Sequence, residues 1–429
     1  MTRIAAILAG AALFVWPALI NGFPILFSDT HAFLVQAGDA RMIWDKPFAY
    51  GVFLRLIDLG ITLWLPMVAQ ALLVSAVIWQ IAERFLLATP TKHMLICLVL
   101  AAGSALPWVT DLLMPDIFAP ITVLALFLIA GGAGWAMIAL AAFAIASHLS
   151  HLVLAAACCA LLMIRASRRW RVILPLAIAL GWIAATNVYF IGRVAISPYG
   201  SVFAMARLAG DGIVDKVLAN HCPRADWTLC AWQGRLSPDH NHVLWDGDGP
   251  VWSHPGGAIG IADEARAVVV IASLEFPGAV ATAALRNTVT QLGQLEIGDA
   301  LIPDWLEGGV TNSLTQYFLP GETERFRASR QAHGGLRVWA DSLNPAHAVL
   351  LVLGTLATIA IATRWRSPLG SFAALILVAL LANAFATGAL SGPHDRYQAR
   401  IAWLVLLPPL LMPFRRKGEE GDRKQVLLF

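Results

Sequence analysis

Residues 370–389 read GSFAALILVALLANAFATGA, a run of twenty residues without a charged side chain. An α-helix needs about 20 apolar residues to cross about 30 Å of hydrocarbon, so this run predicts a transmembrane helix. Similar runs recur along the 429-residue chain, which is 58% hydrophobic and 13% charged, with a mean hydropathy of +0.69. Roughly a quarter of the residues in a soluble domain are charged, so this composition excludes a soluble enzyme.

The apolar windows predict an all-α polytopic membrane protein with about ten transmembrane helices. The windows are 4–27, 60–82, 94–109, 117–131, 134–147, 152–164, 172–192, 346–363, 370–389 and 401–414. The first one lacks a small-residue cleavage site and is followed by further spans, so we interpret it as a retained helix rather than a signal peptide. Three regions follow from the windows: a core of seven spans with interfacial helices in its first outer loop (1–193), a mainly helical polar segment (194–345), and three C-terminal spans with a tail (346–429).

The distribution of basic residues predicts the orientation of the chain. With a cytoplasmic N-terminus, the inner loops carry most of the Lys and Arg, including Arg165, Arg168, Arg169 and Arg171. The positive-inside rule therefore predicts that both termini are cytoplasmic in a bacterial-type inner membrane and that residues 194–345 are periplasmic. The basic start of the tail is suited to contact anionic lipid headgroups. A formal net charge of +3 does not indicate nucleic-acid binding.

Two of the five cysteines, Cys222 and Cys230, lie in the polar segment, and the other three lie in apolar helices. A disulfide between them suits an oxidising compartment, and two unpaired thiols are the alternative. The same segment contains two amphipathic patterns, at 262–274 and 277–295, which predict helices.

Ionisable residues are costly in hydrocarbon, so their position at the ends of predicted spans carries information. They collect in four short outer loops, which places carboxylates, imidazoles and guanidiniums at one surface. The candidate site residues are Asp29 and His31 in the first loop, Asp111 and Asp116 in the second, His148 and His151 in the third, and His394, Arg396, Tyr397 and Arg400 in the last.

The acids and histidines also have structural interpretations. Asp29 could cap an interfacial helix, Asp116 could satisfy the dipole of the fourth span, and Asp111 could be a solvated loop residue. His148 and His151 share a helix face, which suits either a metal or hydrogen bonds at a helix end.

Arg396 and Arg400 are one helical turn apart, which matches phosphate recognition. Headgroup contact or an ion pair with Asp395 are the alternatives.

The layout resembles the GT-C superfamily of integral-membrane glycosyltransferases, which use lipid-phosphate-linked sugars at the outer face of the membrane. Family members place an essential carboxylate just after the first span and commonly another acid before the fourth span. Asp29 and Asp116 stand at those positions, with Asp111 as the substitute for the second. In many members the large periplasmic segment follows the last span, whereas three predicted spans follow it here.

The resemblance implies transfer of a sugar from a polyprenyl-phosphate donor to a lipid, glycan or protein acceptor on the periplasmic face. Asp29 would then be the catalytic base, and Asp116 would orient the acceptor or share that task. Arg396 and Arg400 would stabilise the departing phosphate with help from His394, and Tyr397 would stack on a sugar. His31, His148 and His151 would complete the pocket, with no cofactor required and a divalent metal only weakly indicated. The alternatives are a transporter or flippase of a lipid-linked or anionic solute, an O-antigen-ligase-like transferase and a scaffold protein.

Overall fold

The computed structural model describes residues 2–86, 89–166, 168–299 and 301–412, and within these ranges the chain is helical without a β-strand. The first twelve helices, α1 to α12, are Arg3–Phe14, Trp16–Asn21, Ser28–Asp39, Ala49–Asp58, Trp64–Leu86, Pro90–Gly103, Leu106–Asp111, Phe118–Ala130, Trp135–Ala146, Ser150–Met163, Arg169–Ile191 and Gly200–Gly210. The remaining helices, α13 to α23, are Ile213–His221, His240–Trp245, Gly257–Gly260, Ala262–Glu275, Pro277–Gly293, Gly309–Tyr317, Glu322–Arg327, Gly335–Ala362, Pro368–Ala384, Asp395–Ala402 and Leu407–Leu411.

Four helical stretches in the described residues are long and apolar enough to cross a membrane. They are Trp64–Phe85, Arg169–Ile191, Gly335–Ala362 and Pro368–Ala389. Only 28% of the apolar window of Arg169–Ile191 and 22% of that of Gly335–Ala362 are buried inside the protein. Such apolar surface is stable only in contact with lipid, so the chain is a helical membrane protein.

The prediction of about ten spans is wrong, because most of the other apolar windows form helices that are too short. At a rise of 1.5 Å per residue, the 12 residues of α9 cover about 18 Å and the 14 residues of α10 about 21 Å, less than the hydrocarbon thickness. All 13 residues of α8 are buried among other helices. A window can therefore be apolar because protein surrounds it rather than lipid.

The first and last apolar windows are each broken and do not form a single membrane-spanning helix. The window 4–27 divides into α1 and α2 at Val15, two residues before Pro17, which is the second residue of α2. The window 401–414 divides into the end of α22, a 3₁₀ turn and the short helix α23, and residues 413 and 414 lie outside the described residues. Proline lacks a backbone N–H and clashes with the preceding turn, which favours a break or a helix start at such positions.

The segment after α11 has a separate hydrophobic core formed by buried residues between Tyr199 and Ala283. Its two amphipathic patterns form α16 and α17, which meet at 104° and together would count as a fifth, broken span or a re-entrant loop. The third of the four long apolar helices, α20, begins at Gly335, so this helix continues across the boundary predicted at residue 345. A boundary drawn from hydropathy misses this because the polar first turns of α20 belong to the same helix.

Cys222 and Cys230 form a disulfide in this segment, whereas Cys97, Cys158 and Cys159 are free and buried. The bond closes a loop with a sequence separation of 8. For a loop of this size, chain-entropy reasoning gives a stabilisation of about 2–3 kcal/mol.

We predict that the denatured, unreduced protein exposes three reactive thiols, and that prior reduction raises this number to the five cysteines of the chain. Thiol titration with mass spectrometry measures both states. Five reactive thiols without reductant would contradict the disulfide. A Cys222→Ser/Cys230→Ser variant should lose about 2–3 kcal/mol of unfolding free energy in the segment.

Candidate functional site

A buried carboxylate lies between two guanidinium groups where helix α22 meets the turn before α8. Asp116 belongs to the 3₁₀ turn Pro115–Ile117. Its Oδ2 is 3.4 Å from Nη1 of Arg396, and its Oδ1 is 3.4 Å from Nη1 of Arg400. The spacing of one helical turn directs both arginines to the same carboxylate, so we name these three residues the arginine cluster. The alternative partner, Asp395, instead accepts a hydrogen bond from the backbone N–H of Glu296.

Arg400 is the structural centre of the arginine cluster. Its side chain has no exposed surface, and its Nη2 donates to Ser150 Oγ and to Asn383 Oδ1, both at 2.9 Å. Asn383 in turn donates to Gln398 Oε1 at 2.8 Å and to the carbonyl of Tyr397 at 2.7 Å. A buried charge is costly unless it is paired and hydrogen-bonded. Asp116 pairs with Arg400, and Ser150 and Asn383 accept from its Nη2, whereas its buried Nε has no partner among the described residues.

Arg396 connects the arginine cluster to the start of helix α3. Its guanidinium lies 4.0 Å from the ring centroid of Phe27 and 5.0 Å from that of Tyr397. Phe27 is the residue before α3, and Asp29 lies in the first turn of that helix. Cation–π contact therefore joins the last helix of the site to the segment that carries Asp29.

Asp29 is one of two carboxylates around a single ammonium group. Nζ of Lys46 is 3.2 Å from Oδ1 of Asp29 and 2.5 Å from Oδ2 of Asp45. Burial opposes the charge on Lys46, but Asp29 and Asp45 outweigh it and hold the lysine pKa above its usual value. The Asp29 side chain is 32% exposed and that of Asp45 is 5% exposed, so only Asp29 is accessible to a ligand from solvent.

The two histidines of the third loop lie next to Arg400. The rings of His148 and His151 are 5.3 Å apart, and Nδ1 of His148 is 2.8 Å from Oγ of Ser150, which also accepts from Arg400. His151 Nδ1 is 2.8 Å from the carbonyl of Ala144, which requires the proton on Nδ1 and leaves Nε2 as a buried acceptor without a partner. Across the described ranges, no group of three or more potential metal ligands is found.

His394 and Tyr397 occupy the start of α22. The backbone of His394 exchanges two hydrogen bonds with the side chain of Gln291, at 2.7 and 3.0 Å. Nδ1 of His394 is 3.9 Å from Oδ2 of Asp299, and burial nevertheless lowers the histidine pKa. The structure thus places His394 against Gln291 and Asp299 of the polar segment that precedes α20.

The remaining two candidates lie apart from these groups. Asp111 is buried, and its Oδ2 accepts from the backbone N–H of Ala18 at 2.7 Å, a contact that satisfies the first turn of α2. Nδ1 of His31 is 2.6 Å from Oγ of Ser313 in α18, and burial followed by the nearby Arg41 lowers the pKa of His31.

Sequence reasoning missed Asn383 and Ser150 as partners of Arg400 and gave Lys46 no role beyond a loop charge. Asn383 did carry a signal, because it is the single amide in the apolar run 370–389, and polar residues within apolar spans generally face protein. No local pattern links Ser150 to an arginine that lies 250 residues later.

No family model matches the chain, and neither curated proteins nor solved structures yield a match.

A histidine outside the spans provides a test of the electrostatics. His240 is buried against Arg207, whose Nη1 is 3.4 Å from Nδ1 of His240, and burial followed by this charge lowers the histidine pKa to about 4. The unfolded chain titrates near pH 6.5, so it binds a proton that the folded chain excludes. Above about pH 6.5, His240 is mostly neutral in both states and the unfolding free energy is at its full value. At pH 5.5, protonation of His240 in the unfolded chain lowers the unfolding free energy by about 1 kcal/mol.

The measurement is the unfolding free energy of the wild type and of a His240→Gln variant at pH 7.5 and pH 5.5. The wild type should lose about 1 kcal/mol more than the variant between these values. An equal loss in the two proteins would contradict the assigned pKa.

Proposed function

We propose that this protein is a membrane glycosyltransferase that moves a sugar from a polyprenyl-phosphate donor to an acceptor at the periplasmic face of a bacterial-type inner membrane. The observation that carries the proposal is the convergence of an accessible carboxylate, Asp29, with the cations Lys46 and Arg396. These groups come from the start of α3, the loop after it and α22. A carboxylate base and adjacent cations are the two services that glycosyl transfer from a phosphate requires.

In the proposed reaction, the acceptor hydroxyl oxygen attacks the anomeric carbon of the donor sugar. A carbon–oxygen bond to the acceptor forms as the carbon–oxygen bond to the phosphate breaks, and the bonding electron pair leaves with the polyprenyl phosphate. The proton of the acceptor hydroxyl passes to a carboxylate oxygen of Asp29, which is the exposed member of its ion pair. Lys46 orients the carboxylate of Asp29 before this transfer.

The cations have different proposed tasks. Arg396, at the junction with Phe27, stabilises the negative charge that develops on the phosphate oxygens. Arg400 is fully buried, so we assign it and Asp116 to positioning Arg396 rather than to contact with the substrate. Tyr397, against which both guanidiniums pack, offers a ring for a sugar face. Guanidinium groups can supply the positive charge, so the scheme does not require a metal.

The experiment that tests the function uses the full chain in proteoliposomes with a panel of radiolabelled polyprenyl-phosphate sugars and a lipid extract from the host. We expect label to move to an acceptor while free polyprenyl phosphate appears in equal amount. A protein that moves a labelled lipid or anion across the bilayer without breaking a bond would contradict the proposal and favour a transporter. Addition of EDTA measures metal dependence, and the scheme predicts unchanged transfer.

A further inference from the structure

A small cleft, open to the surface, lies on the side of Arg396 next to α7. Its lining includes Ile25, Trp108, Val109, Leu112 and Leu301. These five side chains are apolar or aromatic and nearly fully buried. A cleft with such walls suits a hydrocarbon chain.

Trp108 provides an independent indication that the cleft takes a ligand. Its side chain is 4% exposed and packs edge-on against Trp16 with ring centroids 5.5 Å apart. The buried indole Nε1–H of Trp108 has no hydrogen-bond partner within the described part of the chain. The corresponding groups of Trp16 and Trp403 both donate to backbone carbonyls at 3.1 Å, whereas that of Trp79 is also buried without a partner but does not line the cleft. An unpaired buried donor is costly, and an acceptor oxygen of a bound molecule would satisfy it.

The charges around the cleft indicate what kind of headgroup it accepts. Glu296 is exposed at the cleft, and Oδ2 of Asp299 accepts the backbone N–H of Arg396 at 3.2 Å. Arg396 also lines the cleft, and its guanidinium is paired with Asp116. The two carboxylates disfavour a phosphate on this side of Arg396, whereas they readily accept hydrogen bonds from hydroxyl groups.

We propose that this cleft binds an amphiphile with a hydrocarbon chain and an uncharged, hydroxyl-rich headgroup. The chain lies against Ile25, Leu112 and Leu301. An oxygen of the headgroup accepts from Trp108 Nε1, and the hydroxyls donate to Glu296 and Asp299. Ile25 precedes Asp29 by four residues in the chain. The role of acceptor site rests on the proposed transferase function, whereas binding of the amphiphile does not.

The test is photo-crosslinking of the full chain in nanodiscs with a dodecyl β-glucoside that carries a diazirine in its chain, compared with a dodecyl phosphate that carries the same group. Mass spectrometry locates the insertion. We expect the glucoside to label peptides that contain residues 108–112 and 296–299 at least about fivefold more than the phosphate does. Trp108→Phe, which keeps an aromatic side chain but removes the indole N–H, should lower this labelling by about fivefold, the effect of one net hydrogen bond.

The matched control is Trp182→Phe in α11, whose side chain is exposed on a lipid-facing span and which should leave cleft labelling unchanged. Labelling that is spread evenly over the lipid-facing helices, that survives Trp108→Phe or that favours the alkyl phosphate would overturn the inference. Cleft labelling should persist in Asp29→Asn. Labelling without any sugar transfer by the wild type would overturn the proposed function alone.

Discussion

Asp29→Asn is expected to lower sugar transfer from a polyprenyl-phosphate donor by about 10²- to 10⁴-fold, the usual contribution of a general base. The amide has nearly the same shape as the carboxylate but cannot accept the proton of the acceptor hydroxyl. Its side chain is about one-third exposed, and Lys46 retains Asp45 as a partner, so the fold should persist. Initial rates of transfer and the melting temperature are measured on the same preparation.

A matched control for this variant is Asp39→Asn at the end of the same helix. Asp39 accepts a hydrogen bond from the hydroxyl of Tyr317 at 2.7 Å and lies near Arg41 rather than Lys46. Asp39 takes no part in the proposed proton transfer, so the transfer rate of this variant should remain within about twofold of the wild-type rate. A folded Asp29→Asn protein with full activity would exclude Asp29 as the base.

Asp116→Ala is expected to lower the unfolding free energy by about 3–5 kcal/mol, the largest stability effect that we predict for a single site. The substitution leaves the guanidiniums of Arg396 and Arg400 in a buried environment without their shared counter-ion. A buried unpaired charge costs several kcal/mol because the protein interior solvates it poorly. Denaturant unfolding in detergent measures the change.

Two further variants separate this mechanism from a general loss of packing. Asp263→Ala removes an exposed carboxylate that pairs with Arg266 on α16 and should cost less than about 0.5 kcal/mol. Combining Asp116→Ala with Arg400→Met should cost less than the sum of the two single changes, because one unpaired charge disappears. If Asp116→Ala lowers the unfolding free energy by less than about 1 kcal/mol, the ion pairs assigned to the arginine cluster are contradicted.

The helical membrane character of the chain could be predicted from composition, but the number of spans could not. The run 370–389 does belong to a long apolar helix, Pro368–Ala389. The run at 117–131 is equally apolar and forms α8, which is surrounded by protein on every side. Hydropathy reports how strongly side chains prefer a non-aqueous environment, and it does not distinguish lipid from the interior of the protein. Counting apolar windows therefore overestimates the number of spans.

The residues of the arginine cluster could be found from sequence, whereas their pairing could not. The spacing of Arg396 and Arg400 predicts a shared helix face, and both do point to one carboxylate. That carboxylate, Asp116, lies 284 residues before Arg400, and no local periodicity encodes such a contact. The same holds for Lys46 and Asp29, whose proximity depends on how the chain after α3 turns back.

Transfer of radiolabel from a polyprenyl-phosphate sugar by the purified full chain in proteoliposomes is the decisive assay, with wild type and Asp29→Asn compared side by side. We expect a labelled acceptor and free polyprenyl phosphate with the wild type, and about 10²- to 10⁴-fold less of both with the variant. Equal transfer by both proteins, or none by a folded wild type across the donor panel and the host lipid extract, would contradict this expectation.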